Sequence, residues 1–179
     1  MAAKYNRDQA WWGLGAKGGG TLFVVGMELL EAGVINAENS AAKNQFQILS
    51  ARIGLGLGGS AGLCAVFLFN VKGSLWSENG TTVKDWGINV SLGEKWSDFV
   101  KGLKNFAILA KAAKLGKSLK GLTPADIEDG RNLLHYVWNG YDLASGGSEF
   151  KIITLDIPST GIGYEVSASF TQGTLEVLS

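Results

Sequence analysis

IGLGLGGSAGLCAVFLFNV, residues 53–71, is the stretch whose reading decides the fold. It is 19 residues long, uncharged and flanked by Arg52 and Lys72. Its mean hydropathy of about 1.8 is high enough to flag a membrane helix. Gly54, Gly58 and Gly62 also fall four apart, the spacing that lets membrane helices approach closely. Two features oppose a helix. Ile53, Leu55 and Leu57 alternate with Gly54, Gly56 and Gly58, a period of two that belongs to a strand. Glycines at 54, 56, 58, 59 and 62 would each cost a helix about 1 kcal/mol. The stretch is therefore predicted to be a glycine-rich β-hairpin. Its turn is placed at Gly58-Gly59-Ser60-Ala61-Gly62 and its return strand over residues 64–71.

Working outward, residues 21–35 open with a β-branched and aromatic run, with Glu28 and Glu31 suiting either a strand or a short helix, and residues 36–44 (NAENSAAKN) are polar and turn-like. Gly18-Gly19-Gly20 reads as a hinge, so the expected organisation is an N-terminal segment, 1–20, and a single domain, 21–179. Asn79-Gly80 signals a tight turn before a strand over residues 81–92. Residues 94–120 form an amphipathic pattern: Trp96, Phe99, Val100, Leu103 and Phe106 share one helical face. Thr123-Pro124-Ala125-Asp126 starts a second helix, with threonine as N-cap, proline at the first position and acids in the first turn. Residues 150–178 return to two or three short strands, separated by turns at Pro158-Ser159-Thr160-Gly161 and Gln172-Gly173. The sum is an α+β fold, mainly antiparallel β-sheet, flat or curled towards a barrel, with two central helices.

Composition excludes several functions. The 179 residues carry 16 Lys+Arg and 16 Asp+Glu, and this zero net charge lacks the electrostatic footprint of a general nucleic-acid binder. One cysteine, Cys64, and one histidine, His135, leave no thiolate zinc site and no site needing two imidazoles. No cofactor or metal is expected. Glycine is the excess: 26 residues, about twice the usual ~7%. Gly54-x-Gly56-x-x-Gly59 and Gly13-x-Gly15-x-x-Gly18 both match a dinucleotide-loop pattern, but the βαβ order that gives it meaning is missing. Residues 126–130 resemble a calcium loop only superficially, because the twelfth position is Val137 rather than a bidentate glutamate. His135 could pair with Cys64 or a serine as a nucleophile, but no flanking motif supports that.

The strongest interaction signal is the lysine-rich segment. Residues 94–120 hold seven lysines against Glu94 and Asp98. Lysines facing anionic headgroups, with Trp and Phe in the interfacial layer, describe a helix that lies on a membrane. The candidate lipid-binding residues are Lys95, Trp96, Lys101, Lys104, Lys111 and Lys114. The competing reading is an amphipathic helix covering a sheet with its lysines in water. Nucleic acid is disfavoured because no base-stacking aromatics interleave with the lysines.

The runs Gly54-Leu55-Gly56-Leu57-Gly58-Gly59-Ser60-Ala61-Gly62, Phe67-Leu68-Phe69-Asn70 and Trp86-Gly87-Ile88-Asn89-Val90-Ser91-Leu92-Gly93 together resemble the SYLF lipid-binding domain over about 40 residues. That resemblance implies phosphoinositide or anionic-lipid binding without catalysis. The chain departs from the family pattern in lacking its C-terminal Tyr-Ser and Gly-Leu-Phe-Ala-Gly run, and in placing the lysine segment where more sheet would stand. The leading expectation is a non-enzymatic protein that engages lipid or an anionic membrane surface through the lysine-rich helix and the glycine-rich hairpin. The alternatives are a structural or self-assembling subunit, a homo-oligomer or part of a larger assembly, and more remotely a small hydrolase. Residues 1–20 lack the apolar core of a secretory signal, so the expected location is cytoplasmic or peripheral to a membrane.

Overall fold

The computed structural model describes residues 5–22, 25–53, 58–86, 122–140, 149–156 and 170–178. Seven strands pair there, all antiparallel: β1 (Trp11–Leu22), β2 (Val25–Asn36), β3 (Lys43–Ile53), β4 (Gly58–Phe69), β5 (Thr82–Trp86), β6 (Lys151–Asp156) and β7 (Phe170–Leu178). One α-helix, α1 (Pro124–Gly140), is described. The strand order is β5-β7-β3-β2-β1-β4-β6, and the end strands β5 and β6 approach one another, so the sheet is curled nearly into a barrel. The antiparallel, barrel-like α+β expectation therefore holds. Of the two central helices only α1 falls among the described residues; the one expected over 94–120 lies outside them. Among the described residues no helix is long and apolar enough to cross a membrane, which leaves strand-built crossing untouched.

Three expectations need correction. Gly58–Phe69 is a strand, so residues 53–71 are neither a membrane helix nor a hairpin turning at 58–62. β3 and β4 are not even neighbours, because β2 and β1 stand between them; β4 pairs instead with β1 from Trp11↔Leu68 to Thr21↔Gly58. Gly18-Gly19-Gly20 is no hinge. These glycines are ladder positions of β1, bonded to strands on both sides. Gln172-Gly173 likewise lies inside β7, opposite β3 and β5, rather than at a turn. The turn over residues 36–44 and the Asn79-Gly80 turn stand as read. The Asn36 side chain accepts from Glu38 N and Asn39 N at 3.0 and 2.9 Å. Gly80 has φ +84°, and the Asn79 side chain accepts from Val177 N at 2.9 Å, tying the turn to β7.

The period of two sorts side chains into two cores. Trp11, Leu30, Ala32, Val34, Phe46, Val66, Leu68 and Leu175 fill the inside of the curl. Trp12, Ile35, Phe67, Phe69 and Ile153, one position along, face outward and are covered by α1 through Leu133, Leu134, Val137 and Trp138. Successive tryptophans, Trp11 and Trp12, thus serve opposite faces of one strand. The helix begins as read. Thr123 Oγ1 accepts from Asp126 N at 3.2 Å, and an Asp126 carboxylate oxygen accepts from Thr123 N at 2.8 Å, a reciprocal cap.

Tyr5 extends this outer core, 5.7 Å from the Phe69 ring and 5.9 Å from that of Trp138, with its hydroxyl donating to Arg131 O at 3.4 Å. Burial raises its phenol above the ordinary 10.0, against the smaller opposing pull of Arg7 and Arg131. A raised folded-state value means the native state holds this proton more tightly than the unfolded chain does. Its contribution is thus fully present below pH 10 and is lost as pH climbs through the folded value. Thermal melts from pH 8 to 11 are expected to show stability falling at the alkaline end, less steeply in Tyr5→Phe. Identical alkaline slopes in the two proteins would remove Tyr5 as the cause.

Candidate membrane-contact surface

The inside of the curl changes character along the strands. Going up β2, the inward residues are Val34, Ala32 and Leu30, and then Glu28; up β3 they are Phe46 and Ile48, and then Ser50. Glu28 and Ser50 are register partners and both are buried. With Leu30, Ile48, Val83, Ile152 and Thr154 they line a cavity of about 20 Å³. Since about 10–15 Å³ on this measure accommodates one water, the cavity suits water rather than a substrate. Gly173 faces Ser50 across the β3–β7 ladder, and its missing side chain is what admits the serine: a Cβ there would stand 2.4 Å from Ser50 Oγ.

The outside changes in the opposite sense at the same level. Glu31, Gln47 and Glu176 occupy one cross-strand row, and Gln47 Nε2 donates to a Glu176 carboxylate oxygen at 2.5 Å. Beyond this polar row the outward positions become Leu29 and Leu49, which pair directly, and then Met27 and Ala51. Met27 is 60% exposed, Leu49 55% and Leu29 38%. Single exposed apolar residues are ordinary, but these three are adjacent on one wall. Gly18, exposed and paired with Leu29, continues the row onto β1, and nothing lies within 4 Å of where its Cβ would be.

The expected lipid-binding residues Lys95, Trp96, Lys101, Lys104, Lys111 and Lys114 lie outside the described residues. The glycine-rich segment named with them contributes strand β4 instead of a hairpin. The apolar row was not singled out from sequence. Its signal was present as alternation in VGMELLE (residues 25–31) and QILSARI (47–53), but which parity faces outward is settled only by pairing. Cys64 and His135 are not brought together. Cys64 is fully buried inside the curl, whereas His135 is exposed on the helix covering the other face, where its Nε2 lies 3.1 Å from the Asn139 amide nitrogen. The acids near Asp126 belong to the cap of α1. Comparison with protein-family models, curated proteins and solved structures finds no match to this chain.

Proposed function

We propose that the protein is a non-enzymatic binding protein that engages a lipid membrane surface. The observation that carries this reading is the exposed apolar row of Met27, Leu29 and Leu49 beyond the Glu31–Gln47–Glu176 level. Water-exposed apolar surface on adjacent strands gains free energy by leaving water, at about 25 cal/mol per Å². Sequence supplies the charge for an anionic surface: a net +5 over residues 94–120, with Lys95, Lys101, Lys104, Lys111 and Lys114 beside Trp96. A juxtaposed lysine contributes roughly 1 kcal/mol each at an anionic surface, attenuated by salt. The resemblance of residues 54–92 to the SYLF domain leads to the same ligand class.

Vesicle co-sedimentation tests this. The protein is expected to pellet with phosphatidylserine-containing vesicles at low salt, and less with pure phosphatidylcholine. Failure to bind either, or equal binding to both at low salt, would refute the reading. A concentration-dependent mass in light scattering, with no vesicle binding, would favour a self-assembling subunit in its place.

A further inference from the structure

We infer that one end of the sheet, the β1–β4 wall beyond the Glu31–Gln47–Glu176 row, enters a single bilayer leaflet with its outer face among the acyl chains. This rests on the membrane reading above and adds the part that inserts, its depth and its orientation.

The placement of charge carries the inference. Beyond that polar row, the register positions in line with the exposed Gly18, Met27, Leu29, Leu49 and Ala51 are 20 and 22 on β1, 25 on β2, 53 on β3, and 59 and 61 on β4. None holds a charged residue. The same stretches contain three charges, Lys17, Glu28 and Arg52, and all three fall at register positions of the other parity: Lys17 pairs with Leu30 and Gly62, Glu28 with Ser50 and Gly19, and Arg52 with Gly26. Of these, Glu28 is buried inside the curl. A curled sheet in water has its charges outside, as Glu31 and Glu176 of the polar row are. Apolar outside with polar inside is the arrangement of strands that face lipid. A second copy of the chain would cover the outer row but would give no reason for Glu28 and Ser50 to be buried within.

Depth follows from strand geometry. From Leu29 to Val25 is four residues, about 13 Å at 3.3 Å per residue. One leaflet contributes about half of the ~30 Å hydrocarbon core, so the band matches a leaflet and falls well short of a crossing.

Cysteine labelling distinguishes this inference from the reading on which it rests. Cys64 is fully buried, so a thiol-reactive, environment-sensitive fluorophore addresses an introduced cysteine selectively. Leu49→Cys and Gly18→Cys place it in the band, and Gln47→Cys places it at the polar row, all at surface positions. The labelled proteins are mixed with phosphatidylcholine–phosphatidylserine vesicles carrying brominated acyl chains. A blue shift and loss of fluorescence at positions 18 and 49, with little change at 47, is the expected result. Leu49→Asp is expected to lose vesicle-bound protein at low and high salt alike. Vesicle-bound protein with equal quenching at 47 and 49, or none at either, overturns the inference and leaves the membrane reading standing. Absence of vesicle binding overturns both. A blue shift at 18 and 49 without vesicles, accompanied by a doubled mass, overturns the inference in favour of a second copy on this wall.

Discussion

Gly13→Ala is expected to cost the sheet about 3 kcal/mol or more, at or beyond the top of the range for overpacking a core. Gly13 lies at an inward position of β1, between Val34 and Val66. A Cβ built there would stand 1.8 Å from the Gly33 carbonyl oxygen and 2.8 Å from the Val34 Cα. Both obstacles are backbone of the adjoining strand, so no rotamer change relieves them; β2 itself would have to move away. That movement would open the Gly13↔Val34 ladder and disturb Val34, which is fully buried inside the curl. Gly15, two residues on, is tight too, but there the closest atom is a Leu30 methyl at 2.9 Å. Gly18→Ala serves as the control, since it meets nothing within 4 Å; it is expected to lie within about 0.5 kcal/mol of wild type. Urea unfolding followed by circular dichroism measures both. If the two alanines were equal in effect, glycine at 13 would not be there for close strand approach.

These positions also explain how far the fold could be read from sequence. The start of α1 was legible because everything that makes it is local: Thr123, Pro124 and Asp126 lie within four residues, and Thr123 and Asp126 cap one another. The turns at 36–44 and 79–80 were legible for the same reason, since Asn36 and Asn79 act on their own surroundings. Glycines misled wherever the reason for them was a neighbour distant in sequence. Gly58, Gly59 and Gly62 looked like a turn, yet they pair with Thr21, Gly20 and Lys17 of β1, about forty residues earlier. Gly173 looked like a turn, yet it makes room for Ser50. Pairing nearest neighbours in sequence, as the hairpin reading did, fails when β1 and β2 insert between β3 and β4. The candidate surface was half-visible. Residues 21–35 suited a strand or a short helix, and even a two-residue period does not say which parity faces water. Only the register of β2 on β3 puts Leu29 beside Leu49 outside and Glu28 beside Ser50 inside.

Gly130→Ala combines opposing signs that one measurement separates. Gly130 lies within α1 in line with Leu133, Leu134, Val137 and Trp138, the helical spacing that faces the sheet. Considered as a helix residue alone, glycine is a liability, and alanine would stabilise α1 by about 1 kcal/mol. Considered in place, a Cβ would come within 2.3–2.5 Å of three atoms of the Trp12 indole. Trp12 is 1% exposed and flanked across the ladder by Ile35 and Phe67, so the ring is enclosed by large side chains on both sides. The helix must lift instead, loosening Leu133, Leu134, Val137 and Trp138 together. At about 1.5–3 kcal/mol for each large side chain buried, even partial separation outweighs the propensity gain. The expected net loss is about 2–3 kcal/mol in the whole protein, whereas a peptide of residues 122–140 becomes more helical with the same change. Trp12→Leu lowers stability by itself, through lost burial, but is expected to make Gly130→Ala far less costly, a coupling of at least about 1 kcal/mol in a double-mutant cycle. Additive effects would mean that the helix is not seated on this ring. The close seating matters for the surface as well: α1 covers only the outward wall carrying Trp12, Ile35, Phe67 and Phe69, leaving Met27, Leu29 and Leu49 further along β2 and β3 open. Gly130 thus sets how closely the helix sits on Trp12, on a part of the wall distinct from the apolar row.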